Sequence, residues 1–317
     1  RGKTGFDYRT NIEYTVAADG SILVNSAIIP STKGVIIPRI GYRMELPEGF
    51  ERMRWYGRGP LENYVDRKDA TYVGVYDELV SDQWVNYVRA QEMGNREDLR
   101  WISITNPDGI GFVFIAGDKM SASALHATAQ DMVDPANHRR LLHKYEVPMR
   151  KETVLCLDAN QRPLGNASCG PGPMQKYELR SQPTVFSFII LPLERSYSTE
   201  ELIKKARVQM PVCMPVLIER DNNGYLNLKT NTPGATVHYS LNGGEEKIYT
   251  EPFEFISGGH VEAYAVSEQL GKSAGTSAEF PIYVDRSLWK IVSVSSENEG
   301  EEARNAIAVS YTHLTLP

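Results

Sequence analysis

The feature that most constrains the fold is an alternation of apolar and polar side chains, broken by glycine and proline turns, over residues 1 to 195. The segment IEYTVAADGSILVNSAII alternates across a turn at Asp19-Gly20, and RWISITNPDGIGFVFIAG repeats the pattern across a turn at residues 106–109. Such alternation places successive side chains on opposite faces of a strand, and Asp-Gly is a favoured hairpin turn. Helical periodicity is almost absent here, so we predict a large antiparallel β-sandwich.

The first clear helix signal follows this region, in STEELIKKARVQM. Ser198 is the predicted N-cap and Glu201 completes a capping box, while the basic residues at the other end suit the helix dipole. Pro211 and Pro215 then keep the chain extended. We therefore predict a helix and linker over residues 196–215.

The chain changes character after this linker. Residues 216–284 contain short strands separated by Pro-Gly and Gly-Gly turns, a pattern typical of a small immunoglobulin-like β-sandwich. Residues 285–307 begin like a strand and then become acidic and polar. Residues 308–317 do not continue that pattern, and we expect them to be an unrelated tail.

Composition excludes several classes of partner. The chain has 317 residues, 41% hydrophobic and 23% charged, with a net charge of -6. This charge disfavours nucleic acid and anionic membranes, and no apolar run approaches the length of a membrane span.

The three cysteines, at 156, 169 and 213, lack metal or redox spacing, and an odd number leaves at least one without a partner in the chain. Because the sequence opens without Met, in RGKTGFDYRTNIEYTV, we expect a fragment.

The segment WYGRGPLENYVDR, which begins at Trp55, allows two interpretations. It is too polar and glycine-rich for an ordinary core strand. Glu62 and Asp66 could form the carboxyl pair of a glycosidase, which needs a separation of about 5 to 9.5 Å. Alternatively, Arg58 and Arg67 pair with these acids in a structural corner around a packed Trp55, because buried charges require partners. We favour the corner and expect Glu62→Ala to cost on the order of 3 kcal/mol if its partner stays buried and alone.

Other candidate sites are weaker. His138 and His143 are five residues apart, which does not suit a shared metal on a helix face. The segment GNASCGPGP, residues 165–173, predicts a tight exposed loop that either approaches a ligand through its backbone or only turns a sheet edge. Cys169 has no apparent base to activate it as a nucleophile. Phosphate-binding, nucleophile-elbow and zinc-protease motifs are absent from the sequence.

Four motifs together resemble one family. RWYGRGPLENYVDRKDATYVGVY, RAQEMGNREDLRWISITNPDGIGFVF, NHRRLLHKYE and LCLDANQRPLGNASCGP look like the C-terminal domain of large β-galactosidases of glycoside hydrolase family 2, across residues 1–195. The resemblance implies a super-sandwich related to galactose mutarotases, in a retaining hydrolase of terminal β-D-galactosides. It also places the catalytic glutamates on a barrel domain that this sequence lacks, so the chain alone is expected to be inactive.

The resemblance also implies roles for particular residues and partners. Glu92 and Asn95 of QEMGN would contact the sugar or end a strand, and we slightly favour the strand end. Cys169 and Gly170 occupy the loop that carries a sugar-binding tryptophan in one branch of the family. Partners would be a galactoside or glycan and the missing domains of the enzyme, with a homo-oligomer also allowed. We assign no cofactor to this chain, although the parent enzyme could bind Mg²⁺ or Na⁺.

The second half carries its own resemblances. NTPGATVHYSLNGG and GGHVEAYAV, within residues 216–284, are similar to the small C-terminal sandwich of chitobiases, and LWKIVSVSSENEGEEARNAI is similar to the start of a discoidin-like module. Such appended modules imply a periplasmic or cell-surface enzyme.

Two other functions remain open. A non-catalytic carbohydrate-binding protein would stack sugars on aromatic rings of the second domain, for which the candidates are Tyr225, Tyr239, Tyr249 and Tyr264. A sugar epimerase follows only from the fold likeness, and it would need His126 or His138 beside Glu92.

Overall fold

The structure is a computed structural model that describes residues 6–88, 90–165, 172–207, 213–221 and 223–284. Within these ranges the chain forms strands almost throughout, with one α-helix, α1, at Thr199–Lys205. The strands are β1 Tyr8–Val16, β2 Ile22–Pro30, β3 Arg39–Leu46, β4 Arg52–Gly59, β5 Tyr72–Leu79, β6 Arg96–Thr105, β7 Ile110–Leu125, β8 Thr153–Gln161, β9 Thr184–Glu194, β10 Leu217–Arg220, β11 Tyr225–Lys229, β12 Thr236–Leu241, β13 Lys247–Ile248, β14 Phe253–Glu254, β15 Gly259–Ser267, β16 Gly271–Lys272 and β17 Thr276–Phe280.

The first nine strands form one branched antiparallel sheet. Its main path runs β1-β2-β9-β7-β6-β4-β5, and β8 and β3 continue from β7 as a second branch. The branch arises because β7 is long: Ile110–Ala116 pair with β9, whereas Ser121–Leu125 pair with β8. Side chains from both branches, including Trp55, Leu155 and Phe188, belong to one buried cluster, so the branches face each other across a shared core.

The predicted turns and helix cap are confirmed. The turn at Asp19-Gly20 joins β1 to β2, and that at residues 106–109 joins β6 to β7. Ser198 accepts the amide hydrogen of Glu201 and completes the capping box, but the helix ends at Lys205, earlier than the sequence segment suggests. Leu202 of α1 is fully buried in a second apolar cluster, on the outer face of the sheet.

The expectation that WYGRGPLENYVDR contains no core strand is wrong for residues 55–59. They lie in β4, which pairs with both β5 and β6. The glycines that argued against a core strand allow close packing instead, because a Cβ on Gly57 would lie 2.5 Å from Leu99 Cδ2 and one on Gly59 would lie 2.8 Å from the Tyr76 ring.

The later strands form two smaller antiparallel sheets. One has the order β10-β11-β14, and the other runs β13-β12-β15-β16 with β17 also paired to β15. Side chains such as Leu226, Val261 and Ala265 form one buried cluster between them. The predicted all-β fold is therefore confirmed. Across the described ranges no helix has the length and apolarity needed to cross a bilayer. The predictions for residues 285–307 and 308–317 lie outside the described residues.

Candidate functional site

Glu62 anchors a neighbouring loop through both of its carboxylate oxygens. Arg67 Nη2 lies 2.5 Å from Oε1, which also accepts a hydrogen bond from the Tyr87 hydroxyl. The Gly94 amide donates to Oε2 at 2.7 Å. The side chain is only 11% exposed, whereas that of Arg67 is 45% exposed. Glu62 therefore holds the segment that contains Glu92 and Asn95, and its oxygens are already engaged by the chain itself.

The other residues of the predicted corner have different partners. Trp55 is fully buried, and its Nε1 donates to the Arg58 carbonyl at 3.0 Å. Arg58 pairs with Asp98, with Nε 2.6 Å from Oδ2, instead of with Glu62 or Asp66. Burial opposes the ionisation of Asp98, but Arg58 and Lys68 hold its pKa below the usual value. Asp66 Oδ1 is buried without a hydrogen-bond partner among the described residues.

Asn95 is fully buried directly before β6. Its Nδ2 donates to the Asn63 carbonyl at 2.9 Å and to Glu97 Oε1 at 3.0 Å, while its Oδ1 has no partner within the described part of the chain. Glu92 is more exposed, and its Oε1 lies 3.4 Å from Arg39 Nη2. Of these two residues, Glu92 lines a cleft of about 330 Å³ where it could contact a ligand, whereas Asn95 is fully buried.

The buried Asp158 forms an ion pair with the partly exposed Arg39 that the sequence reasoning missed, although neither carboxylate oxygen has a hydrogen-bond partner among the described residues. Arg39 Nη2 is 3.1 Å from Asp158 Oδ2, and its Nη1 is 3.2 Å from Cys156 Sγ. Asp158 is 1% exposed, and burial raises its pKa to about 7 although Arg39 opposes the rise. Gly41 lies opposite it on β3, where a Cβ would approach Asp158 Oδ1 to 2.3 Å. The signal available in the sequence was an acid inside the apolar strand VLCLDANQ.

The cysteine environment does not favour catalysis. Burial raises the pKa of Cys156 to about 11, which disfavours the nucleophilic thiolate. Cys156 and Cys213 are both free and buried, so the expectation of at least one free thiol is confirmed.

Gly165 and Pro173, the first and last residues of the segment 165–173, lie close together. A Cβ on Gly165 would lie 2.6 Å from the Pro173 nitrogen, so the two ends meet. Beside them, Arg162 forms a bidentate pair with Glu178, in which Nε lies 2.8 Å from Oε2 and Nη2 lies 2.9 Å from Oε1. Such planar pairing fixes geometry as well as charge. The predicted site residues Cys169 and Gly170 lie outside the described residues.

Next to the Arg162–Glu178 pair lies a cleft of about 550 Å³ between the end of β8 and the turn at Gln175–Tyr177. Its wall includes Ser121, Gln161 and Glu97. Ser121 is the register partner of Asp158 on the neighbouring strand, so the cleft adjoins the buried Asp158. Burial raises the pKa of Glu97, against the opposing effect of Lys68.

His126 and His143 make hydrogen-bond contacts within the chain. His126 Nε2 is 2.7 Å from Glu51 Oε2, and His143 Nδ1 is 2.8 Å from the Val88 carbonyl. Of the two histidines considered as partners of Glu92, His126 contacts Glu51 instead, and His138 is exposed; the contact of Glu92 is with Arg39. Over the ranges that the structure describes, no group of three or more His, Cys, Asp or Glu side chains is arranged to hold a metal ion.

The tyrosines of the second part offer few free ring faces. Tyr239 stacks on Phe253 with a centroid distance of 5.0 Å. The Tyr264 ring lies between His238, at 5.0 Å, and Lys272 Nζ, at 3.5 Å. Tyr225 is 42% exposed. A row of aromatic rings for sugar stacking is therefore not formed by Tyr239 and Tyr264.

Comparison with known proteins identifies the class to which this β-sandwich chain belongs. The family described as the β-galactosidase small chain matches residues 2–190. The chain belongs to this family, as the four motifs indicated.

Curated relatives agree with this family. A β-galactosidase of Priestia megaterium is 31% identical over 154 residues, which are 49% of this chain and 14% of the relative. An Arthrobacter β-galactosidase is 32% identical over 154 residues, 47% of this chain and 14% of the relative. The β-galactosidase BgaC of Bifidobacterium adolescentis is 33% identical over 178 residues, 54% of this chain and 16% of the relative. The chain thus spans about one-sixth of the length of these relatives or less.

Proposed function

We propose that this chain is the C-terminal part of a β-galactosidase that hydrolyses terminal β-D-galactosides with retention, by double displacement. The observation that carries the proposal is the family match over residues 2–190, together with relatives that are named β-galactosidases. The chain spans 14% of the Priestia relative, so most of a parent enzyme would lie outside this sequence. The nucleophile and the acid/base carboxyl group would belong to the parent's barrel, and this chain alone would be inactive.

The proposed organisation of the chain has five parts. Residues 1–195 are the C-terminal super-sandwich, residues 196–215 the helix and linker, and residues 216–284 a chitobiase-type sandwich. Residues 285–307 begin a discoidin-like module, and residues 308–317 are an unrelated tail. These appended modules lead us to place the parent in the periplasm or on the cell surface, acting on a galactoside or glycan, with a homo-oligomer as a further proposal.

In the parent enzyme this chain would shape one wall of the substrate cleft. Two segments are candidates: residues 165–173, which include Cys169 and Gly170, and the loop from Glu92 to Asn95. Their anchoring supports this role, because the end residues of the first, Gly165 and Pro173, meet beside the Arg162–Glu178 pair, and the second is hydrogen-bonded to Glu62 through Gly94. Segments that contact a substrate perform best when their bases are held rigidly. Because Asn95 is buried, Glu92 is the stronger candidate of the two for direct contact.

No metal or cofactor is assigned to this chain. Mg²⁺ or Na⁺ would belong to the barrel of the parent enzyme.

The test is hydrolysis of a chromogenic β-galactoside by this chain, alone and mixed with a separately expressed barrel-containing portion of the parent. We expect activity only in the mixture. Activity of the chain alone would refute the assignment of catalysis to the parent's barrel and make Glu62 and Asp66 the leading catalytic candidates. Absence of activity in both samples, with circular dichroism showing a folded β protein, would contradict the cleft-completing role.

A further inference from the structure

Three exposed cationic side chains line the 550 Å³ cleft beside the end of β8, namely Lys119, Lys176 and Arg180. Within the part of the chain that the structure describes, none of the three forms an ion pair with an acid. The whole chain carries a net charge of -6, so a cleft with three cations outside any ion pair runs against the overall balance. Cations that line one concave surface attract anions to it.

The acids of the same cleft are already paired with other cations. Three of them line it, namely Glu97, Asp98 and Glu178. Lys68, the fourth cation of the cleft, has its Nζ 3.4 Å from Glu97 Oε2 and 3.2 Å from Asp98 Oδ1. Asp98 also pairs with Arg58, and Glu178 pairs with Arg162. Arg162, and after it Arg180, lowers the pKa of Glu178. The paired acids therefore leave most of the charge of the three exposed cations available to a ligand.

The fold brings these three cations from separate segments and leaves their donors available. Lys119 lies on β7 between the residues that pair with β9 and those that pair with β8. Arg180 Nη1 donates to the Gly34 carbonyl at 2.9 Å, which uses one of the five N–H donors of the guanidinium. Lys176 Nζ lies 4.7 Å from the centroid of the Tyr177 ring, a cation–π contact. An anionic group with two or three oxygens can accept charge-assisted hydrogen bonds from such donors.

The cleft also has room and hydrogen-bonding groups for a molecule larger than its anionic group. The exposed amides of Asn160 and Gln182 line it, and amides can both donate to and accept from hydroxyl groups. Lys119 and Asn160 also line a neighbouring cleft of about 600 Å³, which continues to Asn231 in the second part of the chain. The acid of that second cleft is Asp118. The two clefts therefore form one groove whose cations are concentrated at the end near Arg180.

We propose that this cleft binds the anionic group of an acidic galactoside, a carboxylate or a sulfate ester, through Lys119, Lys176 and Arg180. The rest of the saccharide would lie along the groove past Asn160. The choice of a galactoside rests on the proposed function, whereas the preference for an anion rests on the three cations. The acidic group would be held next to the Arg162–Glu178 pair.

The experiment is a titration of the full chain at low ionic strength with D-galacturonate, D-galactose 6-sulfate and methyl β-D-galactoside, followed by calorimetry and protein-observed NMR. We expect at least one acidic sugar to bind about tenfold or more tightly than the neutral one, as charge-assisted hydrogen bonds imply. The two acidic sugars distinguish a carboxylate from a sulfate ester. Added NaCl should weaken the binding, because it screens exposed charges.

The variants Lys119→Gln, Lys176→Gln and Arg180→Gln should each weaken binding of the acidic sugar about fivefold and leave the weak binding of the neutral sugar unchanged. Lys151→Gln is the matched control, because it removes the same charge at a side chain that is 76% exposed and pairs with Glu48 instead of lining the groove. It should leave binding of all three sugars unchanged. Circular dichroism checks that each variant is folded.

Equal affinity for acidic and neutral sugars, absence of binding, or an equal loss in the Lys151 control would overturn the inference. Complementation with the barrel portion is a separate measurement. If it fails while the chain still prefers the acidic sugar, only the proposed function is refuted. If complementation succeeds and the chain shows no preference for the acidic sugar, only this inference is refuted.

Discussion

Charged side chains are more deeply buried among strands β1–β9 than among strands β10–β17. In the first set, Arg96 is 4% exposed, stacks 5.0 Å from the Trp55 ring and donates to Gln83 Oε1 at 2.6 Å, while Asp158 is 1% exposed beside Arg39. In the second set, the pairs His238–Glu246 and His260–Glu279 include glutamates that are more than half exposed.

The difference follows from size and layering. A buried charge needs compensating partners, which Arg96 has in Gln83 and the Trp55 ring. The carboxylate oxygens of Asp158 have no hydrogen-bond partner among the described residues, and its pKa is raised accordingly. The smaller pair of sheets encloses one apolar cluster, and the glutamates paired with His238 and His260 lie at its surface. Ionisation should therefore control the stability of the first part and have little effect on the second. Each of the following predictions tests this contrast.

The largest effect is expected for Trp55→Ala. The ring is fully buried, stacks on Tyr76 at 5.2 Å and lies under Arg96, so its removal leaves a cavity and an unsupported cation. We expect a loss of about 3–5 kcal/mol in the free energy of unfolding, measured by urea titration. Tyr225→Ala in the second part, at a ring that is 42% exposed, should cost much less. Equal losses of stability for Trp55→Ala and Tyr225→Ala would mean that the buried contact between Trp55 and Arg96 does not stabilise the first part.

Asp158 should make stability depend on pH. Its pKa rises from 3.8 to about 7 on folding, chiefly through burial, with Arg39 opposing and Glu92 and Glu97 reinforcing the rise. Between these values the folded chain binds a proton that the unfolded chain releases, so raising the pH lowers the free energy of unfolding. We expect this contribution to amount to about 2–4 kcal/mol from pH 4 to pH 8.

The variant that checks this linkage is Asp158→Asn. Urea titrations at pH 5 and pH 8 should show a smaller decrease in stability for the variant than for the unmodified chain. Asp69→Asn, at an exposed position, serves as the control and should keep the original pH dependence. If Asp158→Asn is instead destabilised relative to the unmodified chain by more at pH 8 than at pH 5, the charged pair with Arg39 outweighs the cost of burying the carboxylate.

A smaller effect is expected for Glu62→Ala. The change leaves the Gly94 amide and the Tyr87 hydroxyl without their acceptor, but Arg67 is 45% exposed and can be solvated. We therefore expect the free energy of unfolding to fall by about 1–3 kcal/mol. This is at most the loss on the order of 3 kcal/mol expected if the partner of Glu62 were buried and left alone. Glu246→Gln in the second part should leave the melting temperature unchanged within error. An unchanged melting temperature for Glu62→Ala, together with lost sugar binding, would make the corner a ligand site.

Local sequence signals predicted the strands, several turns and the helix cap because each depends on neighbouring residues. Alternation identified the hairpin between β1 and β2, and the Ser198–Glu201 spacing identified the start of α1. The glycines of β4 misled the same reasoning. Gly57 is required by the approach of Leu99, a residue far along the chain, and no local pattern reports such a contact.

The candidate site was only partly accessible from sequence. Glu62 and Arg67 are five residues apart and could be paired by inspection, and the structure does bring them together. The partner of Arg58 is Asp98 and that of Arg39 is Asp158, across separations that only the strand register defines.

The sequence by itself determined the all-β class, the family and the position of the turns, since these follow from short-range alternation and from motifs in fixed order. Only the tertiary structure decided which charges are buried, which are paired, and that Lys119, Lys176 and Arg180 line one cleft. The reason is physical: burial and pairing depend on side chains brought together by β7 as it passes from one branch of the sheet to the other.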